Sequence, residues 1–167
     1  MCTETTINRV WEMPNKWTFK MKCVRGLLQR LVDGAWADPF AGQYSPALYT
    51  NDIEGRGAVF QMDGLDFLKI LPTASMDGVL FDPPYSVEQC LRKYTSKFKG
   101  AAGRTEYRAR CKDEIGRIVR PGGTAISFSW DSTGIGKKRG FALAEILLIC
   151  HGAHHNDTIV TVEHRKN

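Results

Sequence analysis

Asp82-Pro83-Pro84-Tyr85 follows directly on the apolar run Gly78-Val79-Leu80-Phe81. A carboxylate at a strand end is a hydrogen-bond acceptor aimed at whatever binds above the sheet. Consecutive prolines fix φ and carry no N–H, so they present their carbonyls rigidly. Tyr85 adds a flat apolar face, and a base stacked on such a ring gains roughly 1–3 kcal/mol in single-strand sites. Two acceptors beside a stacking face suit a planar ring that bears N–H donors. The plain alternative is a turn that only ends the strand. A second group is Asp38-Pro39-Phe40-Ala41-Gly42-Gln43-Tyr44-Ser45, where Gly42 lets the backbone come close to a nucleotide-like ligand. A third is Asn51-Asp52-Ile53-Glu54. An acid at the end of a second strand can accept from ribose hydroxyls. Asp52 is the candidate, with Glu54 in reserve and a surface turn as the alternative.

Positioning these groups requires an alternation of strands and helices, which argues for an α/β fold with a mainly parallel sheet. Apolar residues at Met21, Val24, Leu27, Leu28, Leu31 and Val32 predict an amphipathic helix over 19–32. Strands are predicted at 35–40, 47–51, 58–62, 77–81 and 124–130, with a short helix at 65–71 stopped by Pro72. Residues 105–119 read as a helix closed by the turn Arg120-Pro121-Gly122-Gly123. A helical pattern is read from Phe141 to Ile146, followed by strands at 147–151 and 158–163. The short polar turn between these two makes them an antiparallel hairpin at one end of the sheet.

With this motif order the chain resembles S-adenosylmethionine-dependent DNA adenine amino-methyltransferases with a DPPY motif, of the small phage-type modification methylases. The resemblance covers Pro14 to about Glu163. It implies the Rossmann-like seven-stranded class I methyltransferase fold, mainly parallel with a reversed C-terminal hairpin. It also implies a cofactor over the first three strands and a base beside the fourth. An exocyclic amine is a poor nucleophile because its lone pair is delocalised into the ring. Acceptance of its N–H groups by Asp82 and the Pro83 carbonyl localises that lone pair, with Pro84 and Tyr85 completing the catalytic group. Methyl transfer from a sulfonium is a direct displacement, so positioning and electrostatics carry the catalysis. The cofactor residues implied are Asp38, Pro39, Phe40, Gly42 and Asp52. Asp63 is implied at the cofactor's adenine, with Asp66 as an alternative helix cap. Asn15 and Lys16, in Pro14-Asn15-Lys16-Trp17-Thr18-Phe19, are implied at its carboxylate. Tyr44 departs from the pattern, which usually has a second glycine there.

The substrate class follows from the same motif. N6 methylation of adenine in DNA comes first because Asp opens it. Cytosine N4 methylation more often shows Ser in that place, and protein glutamine methylation Asn. Adenine in RNA stays open, because nothing in the motifs reports the sugar. A degenerate binding relative would need a broken site, and Asp82 and Tyr85 are both present.

Charge agrees with a polyanionic partner. The chain has 23 Lys and Arg against 18 Asp and Glu, and ten of the cations but only three acids lie between Arg92 and Arg120. Arg92, Lys93, Lys97 and Lys99, interleaved with Tyr94 and Phe98, are candidate phosphate contacts, as are Lys137 and Lys138 between a strand and a helix. A solvated face or loop is the bland alternative. Among the tempting features, His151, His154 and His155 lack a nearby cysteine or carboxylate pair, so no metal site is expected. The five scattered cysteines form no CxxC pair. Nothing approaches the ~18 unbroken apolar residues of a membrane span. The reading is a cytoplasmic enzyme, a single domain over residues 1–167 without a separate target-recognition domain.

Overall fold

Elements are β1 (Thr6–Trp11), a 3-10 turn (Thr18–Lys20), α1 (Lys22–Leu31), β2 (Trp36–Asp38), β3 (Tyr49–Thr50), α2 (Gly64–Ile70), β4 (Met76–Phe81), α3 (Thr105–Ile118), β5 (Val119–Ser129), a 3-10 turn (Lys137–Arg139), β6 (Phe141–Cys150) and β7 (Thr158–Arg165). They come from a computed structural model that describes residues 4–85, 104–152 and 154–167. The strands form one seven-stranded sheet in the order β1-β6-β7-β5-β4-β2-β3. β7 runs antiparallel to both its neighbours, β5 and β6, and every other pairing is parallel.

Each face of the sheet carries its own core. On one face α1 lays Val24, Leu27 and Leu28 against Trp36, Leu80, Ile126, Phe128 and Val160. The Glu12 carboxylate accepts from the backbone N–H groups of Lys22 and Cys23, which satisfies two of the orphan donors at the start of α1. On the other face Leu65, Phe67 and Leu68 of α2 and Cys111, Ile115 and Ile118 of α3 cover Ala37, Val79, Phe81 and Ala125. At the register pair Trp36–Gly78 the glycine has a packing reason. A Cβ there would stand 2.5 Å from the buried indole.

The predicted strand count is correct, but its membership is not. Residues 58–62 make only an isolated bridge, Asn51 to Phe60, and the added strand is β1, parallel to β6. The helical pattern over Phe141–Ile146 is strand: β6 runs unbroken to Cys150, clamped between β1 and β7. The β7 ladder, joined from Glu145 onward by that of β1, overrides the helix propensity of Ala142, Leu143, Ala144 and Glu145. The antiparallel β6–β7 hairpin is present, yet β7 is interior and β1 closes the edge outside β6. The helix expected over 19–32 is a 3-10 turn followed by α1. The Arg120–Gly123 turn is absorbed into β5 as an irregularity opposite Met76 and Gly78.

Candidate active site

β2 lies between β4 and β3, so the chain runs outward from β2 to β3 and then crosses back to β4 on the other side of β2. In an open α/β sheet that reversal opens a crevice at the carboxyl ends of the strands. Asp38 ends β2 there, fully buried. Its Oδ1 accepts from the Phe40 N–H at 3.0 Å and its Oδ2 from the Ser45 hydroxyl at 2.6 Å. Burial pushes the Asp38 carboxyl up to about 7; the charges of Asp82 and Asp52 add to this, and the two hydrogen bonds oppose it. Asp52 and Asp82 thus lie close enough for their charges to act on Asp38.

The loop after Asp38 keeps a glycine-like course. Gly42 has φ +52 and packs on Trp17, and Tyr44 has φ +72 despite its side chain. The usual second glycine is missing, but the left-handed backbone it would allow is retained. Tyr44 is held there by the Lys20 ammonium 4.3 Å above its ring and by the edge of Trp17, 6.1 Å between centroids. Phe40 turns inward, edge-on to Phe81.

Asn51 and Asp52 divide two tasks. The Asn51 amide donates to the carbonyls of Pro39 and Met62 and accepts the Met62 N–H, tying the two loops together. Asp52 is 1% exposed; its Oδ1 accepts the Glu54 N–H at 2.8 Å. Its Oδ2 accepts no hydrogen bond, and Arg56 Nη1 stands 3.5 Å away. A buried acceptor left open costs free energy unless a ligand donor meets it. Glu54 pairs instead with Arg56. Asp63 is the N-cap of α2, accepting from Leu65 and Asp66 N–H on Oδ1 and from the Tyr107 hydroxyl on Oδ2. The alternative cap, Asp66, pairs with Lys69 on the surface.

Asp82 follows β4. Its Oδ1 accepts from the Tyr85 hydroxyl at 2.9 Å, while Pro83 and Pro84 are buried beneath. Burial and the Asp82 charge hold the Tyr85 phenol well above its ordinary pKa, so it remains a donor. The Tyr85 ring meets Trp130 edge-on at 5.4 Å, and Arg108 donates to the Tyr85 carbonyl at 3.4 Å. Tyr85 and Trp130 line a cavity of about 420 Å³ together with Asn15, Lys16, His155 and Thr158. The segment expected near the cofactor thus reaches the Asp82–Tyr85 motif. Asn15 shapes it by accepting the Trp17 N–H, and the Lys16 ammonium lies 5.3 Å from the Trp17 ring centre.

Other candidates fall elsewhere. Arg92, Lys93, Lys97 and Lys99 lie outside the described residues. Lys137 and Lys138 are exposed, but they immediately precede β6, a strand rather than the expected helix, at the amino end of the sheet. His151 is buried, bonded to the Glu12 carbonyl and the Thr158 hydroxyl. Among the described residues no cluster of three or more potential metal ligands occurs. Nor is any helix among them long and apolar enough to cross a membrane. Sequence reasoning missed Trp130, while Ser45 stood in the Asp38–Ser45 motif and Arg108 among the cations of 92–120. The available signal for Trp130 was its place at the end of the strand next to β4.

No family model and no curated protein matches the sequence. The structure is similar to solved methyltransferases. The 1,6-didemethyltoxoflavin-N1-methyltransferase of Burkholderia thailandensis superposes with a TM-score of 0.56 at 10% identity, covering 87% of this chain and 76% of that one. For TrmN from Thermus thermophilus the values are 0.55 and 16%, covering 87% and 49%. For the N-methyltransferase NodS from Bradyrhizobium japonicum WM9, in complex with S-adenosyl-l-homocysteine, they are 0.53 and 11%, covering 84% and 82%. The chain spans about half the length of TrmN. What the likeness establishes is the Rossmann-like class I methyltransferase fold.

Proposed function

We propose that this chain methylates the exocyclic N6 amine of adenine in DNA, with S-adenosylmethionine as donor. The observation that carries the proposal is the Asp82–Tyr85 unit at the carboxyl end of β4, with two further buried acids, Asp38 and Asp52, close by.

The residues present fit the cofactor. Asp52 Oδ2 is a buried acceptor without a hydrogen bond, as a ribose hydroxyl requires. The left-handed turn at Gly42 and Tyr44 suits close approach of backbone to a ligand. Asp38 braces that turn through Phe40 and Ser45. Asp63 follows Met62, which Asn51 ties to Pro39, and Asn15 and Lys16 line the cavity beside Tyr85. When bound, the cofactor supplies an electrophilic methyl carbon on a sulfonium.

Asp82 accepts one N–H of the amine, and the Pro83 carbonyl accepts the other. Tyr85 occupies only one of the roughly four lone-pair sites of the carboxylate, so acceptor capacity remains. The Tyr85 ring, steadied by Trp130, stacks on the base. In duplex DNA the nucleotide must leave the stack to reach Asp82.

The test is incubation with tritiated cofactor and DNA, RNA or protein, followed by digestion and identification of the product. N6-methyladenine from DNA is the expected result. N4-methylcytosine, label only in RNA, or label only in protein would each overturn the substrate assignment.

A further inference from the structure

A second cavity, of about 420 Å³, opens on the opposite face of the sheet from α1. Its floor is Phe81 and Pro83 of the β4 end and Ser127 and Ser129 of β5; its wall is α3. Thr105, Arg108, Ala109 and Lys112 reach it together because their i, i+3, i+4, i+7 spacing forms one helix face. None of this belongs to the Tyr85–Trp130 cavity, whose lining is different.

We propose that this cavity binds a phosphate group, and that the phosphate comes from the nucleic-acid strand carrying the target base. It rests on the reading above only for that source.

Three observations lead there. First, the Ser127 hydroxyl is buried, at 4% exposure, lines the cavity and has no hydrogen-bond partner. Thr161, its register partner on β7 and on the same face, has an equally orphaned hydroxyl. Buried hydroxyls without partners are costly, and a ligand oxygen at Ser127 removes that cost.

Second, two half-buried cations here pair with no carboxylate among the described residues. Among the described residues Arg108 donates only to the Tyr85 carbonyl, at 3.4 Å, and Lys112 reaches only the Thr133 hydroxyl, at 3.5 Å. Burial lowers the Lys112 pKa, and the charges of Arg139 and Arg108 act in the same direction against Asp131 and Glu163. An anion between Arg108 and Lys112 relieves both.

Third, the local acid is already committed. Asp131 accepts from the Thr133 N–H and hydroxyl and from the Ser129 hydroxyl. Arg139 is likewise tied to Asp113 and to the Ile135 and Ala109 carbonyls. What remains open is a guanidinium, an ammonium and a hydroxyl, a donor set that suits tetrahedral phosphate oxygens. Arg108 also touches the backbone of Tyr85, so a phosphate held there lies next to the catalytic loop.

The test titrates the protein into inorganic phosphate and follows the ³¹P line width. Wild type, Ser127→Ala and the double variant Arg108→Gln, Lys112→Gln are compared, with adenosine as a phosphate-free control ligand and a pentadeoxyadenylate strand as competitor. Wild type is expected to broaden the phosphate signal. The double variant should weaken binding roughly tenfold or more, since each lost bond is charge-assisted. Ser127→Ala should weaken it less. S-adenosylhomocysteine affinity should be unchanged in all three, which reports an intact fold. The strand, and not adenosine, should displace the phosphate. Absent binding, or equal binding by the double variant, overturns the site. Phosphate that the strand does not displace overturns its assignment to nucleic acid. Loss of binding in the double variant of a protein that methylates no DNA leaves the site standing and rejects the function proposed above.

Discussion

The phenol of Tyr85 donates to Oδ1 of Asp82 at 2.9 Å, so the stacking ring and the acceptor carboxylate are one hydrogen-bonded unit. The two contributions separate by substitution. Tyr85→Phe keeps the ring and loses one neutral-to-charged bond, and turnover is expected to fall by about fivefold or somewhat more. Tyr85→Ala should fall further because the stacking face goes too. Asp82→Ala should abolish transfer, with S-adenosylhomocysteine affinity by calorimetry unchanged. Substantial turnover in Asp82→Ala would remove its role in activating the amine.

Asp52 carries the cofactor prediction. Its Oδ2, which accepts no hydrogen bond, is expected to accept a ribose hydroxyl, so Asp52→Ala should weaken S-adenosylhomocysteine binding by the roughly 1.5–3 kcal/mol of a charge-assisted bond. The ligand-induced rise in melting temperature should shrink accordingly. Calorimetry showing an unaltered Kd would exclude Asp52 from the ribose site.

Tyr44 tests the glycine-like turn. A non-glycine residue at φ +72 stores roughly 1–2 kcal/mol of backbone cost. The cation over its ring and the Trp17 edge offset part of this. Tyr44→Ala loses those contacts and keeps the cost, whereas Tyr44→Gly loses the contacts and the cost together. Urea unfolding should therefore rank Gly above Ala by about 1 kcal/mol. Equal stabilities would mean the turn relaxes when the ring is removed.

Asp38 sets a pH dependence. Its carboxyl titrates near 7 in the folded chain, above the 3.8 of an unperturbed Asp. Between these values the native state keeps a proton that the unfolded state has lost. The contribution of Asp38 is fully present below about pH 4, declines as pH rises, and is gone above about 7. Asp38→Asn, which cannot ionise, should flatten this part of the stability curve. The check is unfolding free energy from pH 4 to 8 for both proteins, and parallel curves would contradict it.

The place of the Asp82–Tyr85 motif was legible because it depends on local order. Asp82 to Tyr85 needs only a strand before it, and the apolar run 78–81 supplies one. β1 was not legible: most of Thr6–Trp11 is exposed, so no alternation marks it, and its partner is distant in sequence. Phe141–Ile146 misleads for the opposite reason, since a short apolar run fits helix and strand alike and only the flanking strands decide. The unpartnered hydroxyls of Ser127 and Thr161 have no sequence signature, because they become neighbours only through β5–β7 register.

The edge strand also bears on the order of folding. β1 pairs with β6, and its continuation at Glu12 bonds to His151, 139 residues further along. Closing so long a loop costs chain entropy before any contact rewards it, which places such pairings late on the folding path. Glu12 also holds the first N–H groups of α1, so that helix start settles when the strand docks. A substitution such as Val10→Ala would then mainly hasten unfolding, with little effect on the folding limb of the chevron.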